Sequence, residues 1–144
     1  MVMKFKKPTS KSPFMPPSPP LKEDGHGFAV NFSQFDLSQG ASIEDIQEVK
    51  KLAHTLDIFR TFWSRSVPDL LANQGRDKFC IYWDFPDKNK TEFKHPKHVP
   101  EDAQWARIHV NGKFCIIGHV VRNIFYLVFF DTEHKFYKSE LKHT

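Results

Sequence analysis

The side chains able to do chemistry crowd into the last forty residues of the chain. Arg107, His109 and Lys113 surround an Asn111-Gly112 pair, His119 and Tyr126 follow, and His134, Lys135 and Tyr137 close the segment in a short charged tip. Imidazole exchanges protons near neutral pH, while guanidinium and ammonium groups hold anionic charge. No Walker-type glycine loop, GxSxG or HExxH pattern accompanies them. Cys80 and Cys115 lie in apolar, strand-like runs without CxxC spacing, which predicts two reduced core thiols with neither a disulfide nor a metal site. His54 falls among the charged positions of a helical pattern and reads as part of a solvated face.

The elements that position these groups form a β-meander from Trp105 to Asp131. Asn-Gly between apolar and β-branched residues is a strong hairpin signal, because a type I′ turn needs positive φ at both central positions. A two-residue loop at Asn111-Gly112 predicts Val110 opposite Lys113, His109 opposite Phe114, Ile108 opposite Cys115 and Arg107 opposite Ile116. A second turn at Arg122-Asn123 pairs Val121 with Ile124, Val120 with Phe125, His119 with Tyr126 and Gly118 with Leu127, so that His119 and Tyr126 form a buried hydrogen-bonded pair. Alternation then places Arg107, His109, Phe114, Ile116, Val120, Phe125, Leu127 and Phe129 on one face. Ile108, Val110, Cys115, Ile117, His119, Tyr126, Val128 and Phe130 fall on the other. Neither face is simply polar, so the sheet is expected to be central, with a helix on one side and a partner, ligand or chain terminus on the other.

Upstream, residues 1–24 hold six of the ten prolines together with Lys4, Lys6, Lys7 and Lys11, the composition of a disordered or polyproline-like tail. Residues 25–144 then read as a single α+β domain. His26 to Asp36 alternates like a half-buried strand. Ser42 with Asp45 is a capping-box start for a helix over about 43–63, whose apolar positions are Ile46, Val49, Leu52, Ala53, Leu56, Phe59 and Trp63. Ser66 to Gly75 reads as a second short helix, with Pro68 in its first turn and Gly75 as its stop. Lys78 to Asp84 is a further strand, and residues 86–100 form a basic, mobile-looking loop. The fold class expected is therefore α+β: strand, two helices, then an antiparallel β-meander.

Composition bounds the rest. The 144 residues are 40% hydrophobic and include 15 Phe, ample for a packed core. No apolar run of about 18 residues and no signal-peptide centre is present, so a soluble, cytoplasmic chain is expected, with no membrane partner and no cofactor. The net charge of +4 leans towards anionic partners such as nucleic acid or the ribosome.

The order of elements, and above all Arg107-Ile108, Asn111-Gly112-Lys113-Phe114, Ile116-Ile117, Phe125 to Phe130 and His134-Lys135-Phe136-Tyr137, resembles the RelE/ParE superfamily of small bacterial toxins. The resemblance is carried by residues 105–138. It implies a toxin with a cognate antitoxin, acting on mRNA in the ribosome as a metal-independent endonuclease. The RNA 2′-hydroxyl attacks the adjacent phosphate while side chains move protons and neutralise charge. It casts Arg107, His109 and Lys113 as phosphate- or RNA-binding groups, and His134, Lys135 and Tyr137 as acid-base and stacking groups. Each has a plainer reading: Arg107 in an ion pair with a helix carboxylate, Lys113 as an exposed edge charge, His134 and Lys135 as turn polarity. The position after Phe114, where many family toxins carry arginine, is Cys115, and a thiol cannot hold a phosphate as guanidinium does. The resemblance also admits a non-catalytic inhibitor of a host protein such as gyrase, phage or plasmid borne, and a third reading is a plain RNA-binding module.

Overall fold

The computed structural model describes residues 27–63, 65–72 and 79–138, apart from the Val49 side chain. The proline-rich segment 1–24 and the stop at Gly75 lie outside the described residues. Strands β1 (Ala29–Asn31), β2 (Phe79–Trp83), β3 (Trp105–Asn111), β4 (Phe114–Val121) and β5 (Ile124–Asp131) form one sheet in the order β1-β5-β4-β3-β2. Only β1 with β5 is parallel, and every other pairing is antiparallel. Two helices, α1 (Val49–Phe62) and α2 (Val67–Ala72), sit between β1 and β2 in the chain. The fold is α+β, and no described helix is long and apolar enough to cross a membrane.

Strand β1 is shorter than its alternating pattern suggests. After Asn31 the chain turns, with the Asn31 Oδ1 accepting from the Ser33 amide at 2.7 Å and the Phe32 carbonyl accepting from Phe35. The capping box is present reciprocally: the Ser42 amide donates to Asp45 Oδ2 at 2.8 Å and the Asp45 amide to Ser42 Oγ at 3.1 Å. It opens a short 3-10 turn, Glu44–Gln47, rather than the long helix expected over 43–63. Glu48, at ψ 130°, breaks the helical path before α1 begins. The break re-phases the helix. Thr55, Ile58 and Phe62 now face the core, while Leu52, Leu56 and Trp63 are 40%, 58% and 71% exposed, against the sequence expectation.

The Arg122-Asn123 turn and all four of its expected pairings are present, with Arg122 at φ 58°. The other hairpin differs. Asn111 pairs with Phe114, so the loop is Gly112-Lys113, and an irregularity between His109 and Asn111 sets Ile108 opposite Ile116 and Arg107 opposite Ile117. A one-residue slip exchanges the faces of a strand. Ile108 and Val110 thereby join Phe114 and Ile116 under the helices, and Arg107 turns to the opposite face. A second irregularity, at Val128 between the pairs Ile117–Phe129 and Gly118–Leu127, likewise moves Phe129 out and Phe130 in. The reason is burial: this arrangement puts β-branched and aromatic side chains under α1 and α2, at about 1.5–3 kcal/mol for each one buried.

The helix-side core holds Phe28, Phe62, Phe79, Phe125 and Leu127, with Phe28 in ring contact with all three of those phenylalanines. The second face is covered by the chain itself. Residues 84–104, which include the mobile-looking loop expected over 86–100, bury Pro86, Thr91, Pro96 and Val99 and press Phe85 and Phe93 onto Trp105 and Phe129. Residues 132–138 form a strap beside them, in which Phe136 is 1% exposed. Loop and strap are joined by backbone bonds from Glu92 to the Lys135 carbonyl and from Lys138 to the Lys90 carbonyl, at 3.1 and 2.7 Å.

Candidate functional site

The strap is held where β5 ends. Asp131 is buried, and its two carboxylate oxygens accept from the amides of Lys135 and Phe136 at 2.9 and 2.8 Å. This bends the chain back over the second face, with His134 at φ 59° in the turn. The bend lays Tyr137 flat on Tyr82 of β2, with centroids 4.8 Å apart and planes 14° apart. The Arg107 guanidinium stands 5.9 Å from the Tyr82 ring, and the Lys90 ammonium 5.9 Å from the Tyr137 ring. Two half-buried phenol rings thus lie beside two cations, which the ring faces attract.

The Arg107 charge also reaches Cys115 on the neighbouring strand. Burial pushes the Cys115 thiol up to about 11, with the Arg107 charge pulling the other way, so at neutral pH the group is a thiol and no nucleophile. Burial pushes the Tyr82 phenol up as well, against the same arginine, and removes it as a proton donor or acceptor near neutrality. The Nε of Arg107 is buried and unpartnered among the described residues. Cys80 and Cys115 are not joined in a disulfide.

The expected site residues separate into three groups. Arg107 and Tyr137 come together through Tyr82. His109 occupies the row that includes Cys115 and Asp131, and its Nε2 donates to the Gly112 carbonyl at 2.7 Å, bracing the hairpin loop. Lys113 is exposed in that loop. Lys135 points elsewhere: its ammonium lies 3.1 Å from Glu133 and 3.7 Å from Glu92. The bond and charge of Glu133, with Glu92 behind, hold its pKa above the usual lysine value. It lines a groove of about 610 Å³ that also receives Asp45, Glu48, Lys51, Glu92, Asp131 and Glu133. Five carboxylates against two ammonium groups make that groove acidic, a poor seat for phosphate. The His134 imidazole has no hydrogen-bond partner among the described residues.

Arg107 is not paired with a helix carboxylate, because the slip in β3 points it away from the helices. His119 and Tyr126 do face each other, but as stacked rings with centroids 5.0 Å apart; the hydrogen bond from His119 Nε2 goes instead to Gln34 Oε1 at 2.6 Å. Sequence reasoning missed Tyr82, Lys90 and the anchoring role of Asp131. Alternation along Phe79–Trp83 was the available signal for Tyr82, since it puts Cys80 and Tyr82 on one face. Nothing in the sequence marked Lys90, whose place depends on how the 84–104 segment folds back.

No family model matches the chain, and none of the curated proteins or solved structures compared with it matches either. The functional reading therefore rests on the site.

Proposed function

We propose that this chain is a protein of RelE/ParE-like architecture that binds single-stranded RNA at the end of its sheet. The observation that carries this reading is the Tyr137–Tyr82 stack flanked by Arg107 and Lys90. Aromatic platforms beside cations suit single-stranded nucleic acid, because every base has a π-face and every linkage a negative charge. Arg107 is the phosphate ligand and Tyr137 the stacking surface, with Lys90 adding charge and His109 two residues further along β3 from Arg107.

Binding is favoured over cleavage by three features: Lys135 is held by two carboxylates, Cys115 is a protonated thiol, and a neighbouring groove is acidic. Metal-independent cleavage of mRNA on the ribosome, as a toxin with a cognate antitoxin, is the second reading. The His134 imidazole of the strap, which has no hydrogen-bond partner among the described residues, favours it. In that case His134 is the catalytic residue, Tyr137 holds the base, and Lys135 contributes only its charge.

The test is fluorescence anisotropy with a labelled single-stranded RNA, comparing wild type with Arg107→Ala and Tyr137→Ala. Stacking is worth about 1–3 kcal/mol per base, so losses of roughly tenfold are expected, with affinity falling as salt rises. Equal affinities in all three proteins would end the RNA reading. Inducible expression with mapping of mRNA 5′ ends, wild type beside His134→Ala, separates the two versions. New ends that vanish in the variant would establish cleavage, and no new ends would leave binding alone.

A further inference from the structure

Away from that stack, three ring nitrogens are buried and unpartnered within one run of touching rings: His95 Nε2, Trp105 Nε1 and His119 Nδ1. The Trp105 ring is fully buried and both imidazoles pack against it, with centroids 5.5 Å away for His95 and 6.1 Å for His119. His95 comes from the 84–104 cover, Trp105 from β3 and His119 from β4, so the three meet at the seam between cover and sheet.

The opposite nitrogen of each imidazole decides what the buried one presents. His95 Nδ1 lies 2.9 Å from the Pro96 carbonyl, which can only accept, so the proton sits on Nδ1 and Nε2 offers a lone pair. His119 Nε2 lies 2.6 Å from Gln34 Oε1, which places its proton there and leaves a lone pair on Nδ1. Trp105 Nε1 is a donor only. The set is therefore two acceptors and one donor. A cation fits the two lone pairs but is repelled by the indole N–H. Water fits all three, accepting from the indole and donating to each imidazole, and buried waters typically make about three such bonds.

We infer that these nitrogens form a binding site for one internal water, through which the 84–104 cover is hydrogen-bonded to β3 and β4. Leaving three buried polar atoms unpaired would disfavour the folded state, and a shared water removes that cost.

The test is NMR on the uniformly 15N-labelled full chain near pH 7.5. Long-range 15N–1H correlations should show His95 protonated at Nδ1 and His119 at Nε2. The Trp105 indole proton should give a cross-peak to water with the sign of a long-lived, bound molecule. In Trp105→Phe, which keeps the ring's bulk in large part, that cross-peak is lost by construction. His95 and His119 should keep their tautomers while their 15N shifts move as the water loses its donor. His119 protonated on Nδ1, or an indole proton with no contact to bound water, would overturn the inference. So would added Zn²⁺ or Cu⁺ shifting both imidazole nitrogens at stoichiometric amounts, because the site would then be a cation site.

Discussion

The strap that carries Lys135, Phe136 and Tyr137 depends on one buried carboxylate, and Asp131→Ala tests how much. The wild-type group accepts two backbone N–H bonds, at 2.9 Å in a partly buried setting and 2.8 Å in a buried one. Bonds to charged acceptors contribute about 1.5–3 kcal/mol each, which sets an upper bound of about 3–6 kcal/mol for the pair. Water can replace the partner of the Lys135 amide but not readily that of Phe136, so the expected loss is about 2–4 kcal/mol. With a urea slope of about 2 kcal/mol/M, the unfolding midpoint should fall by about 1–2 M. Asp131→Asn retains one acceptor oxygen and should fall between the two. Releasing the strap also lifts Tyr137 from Tyr82, so RNA affinity should drop together with amide protection at Lys135 and Phe136 in hydrogen exchange. An Asp131→Ala protein within about 0.5 kcal/mol of wild type, a difference typical of neutral surface changes, with both amides still protected, would refute the view that this carboxylate anchors the strap.

Two further outcomes follow from the packing. Gly118→Ala should be strongly destabilising, because a Cβ there would meet the Tyr126 carbonyl oxygen at 2.0 Å and the Phe125 ring at 2.9 Å. Overpacking costs about 1–3 kcal/mol and more where backbone must move; a thermal melt matching wild type would mean that β4 and β5 part freely at the irregularity. Burial first, and the nearby His95 second, hold the His119 pKa below the ordinary histidine value. The folded state therefore binds this proton less readily than the unfolded chain. The associated stability is complete above the unfolded value of about 6.5 and is lost as the pH falls from there through the lower folded value. Urea unfolding at pH 7.5 and pH 5 should show a smaller loss in His119→Asn than in wild type, and equal losses would contradict the assignment.

The amino-acid sequence by itself determined the meander, the second turn with its four pairings, the Ser42–Asp45 cap and the two helices. These follow from interactions between residues close in the chain: a turn needs positive φ, a cap needs an oxygen three residues away, and strands need alternation. It also directed attention to Arg107 and Tyr137, which both contact Tyr82. Tertiary packing decided what locality cannot reach. The two strand irregularities, at Val110 and Val128, exchange the faces of neighbouring residues, and they are chosen by which side chains fill the space under α1 and α2. The break at Glu48 re-phases α1 for the same reason. Residues 86–100 read as a basic, mobile-looking loop because their few apolar residues, Phe93 and Val99 among them, are spaced to no period; with Phe85 they are ordered by the aromatic face they cover. Lys135 has the residue type of a catalytic cation, but Glu92, forty-three positions earlier, meets its charge once the chain folds back. Residue types and local spacing are written along the chain, whereas the electrostatic partner of each group is set by which distant segments burial brings together.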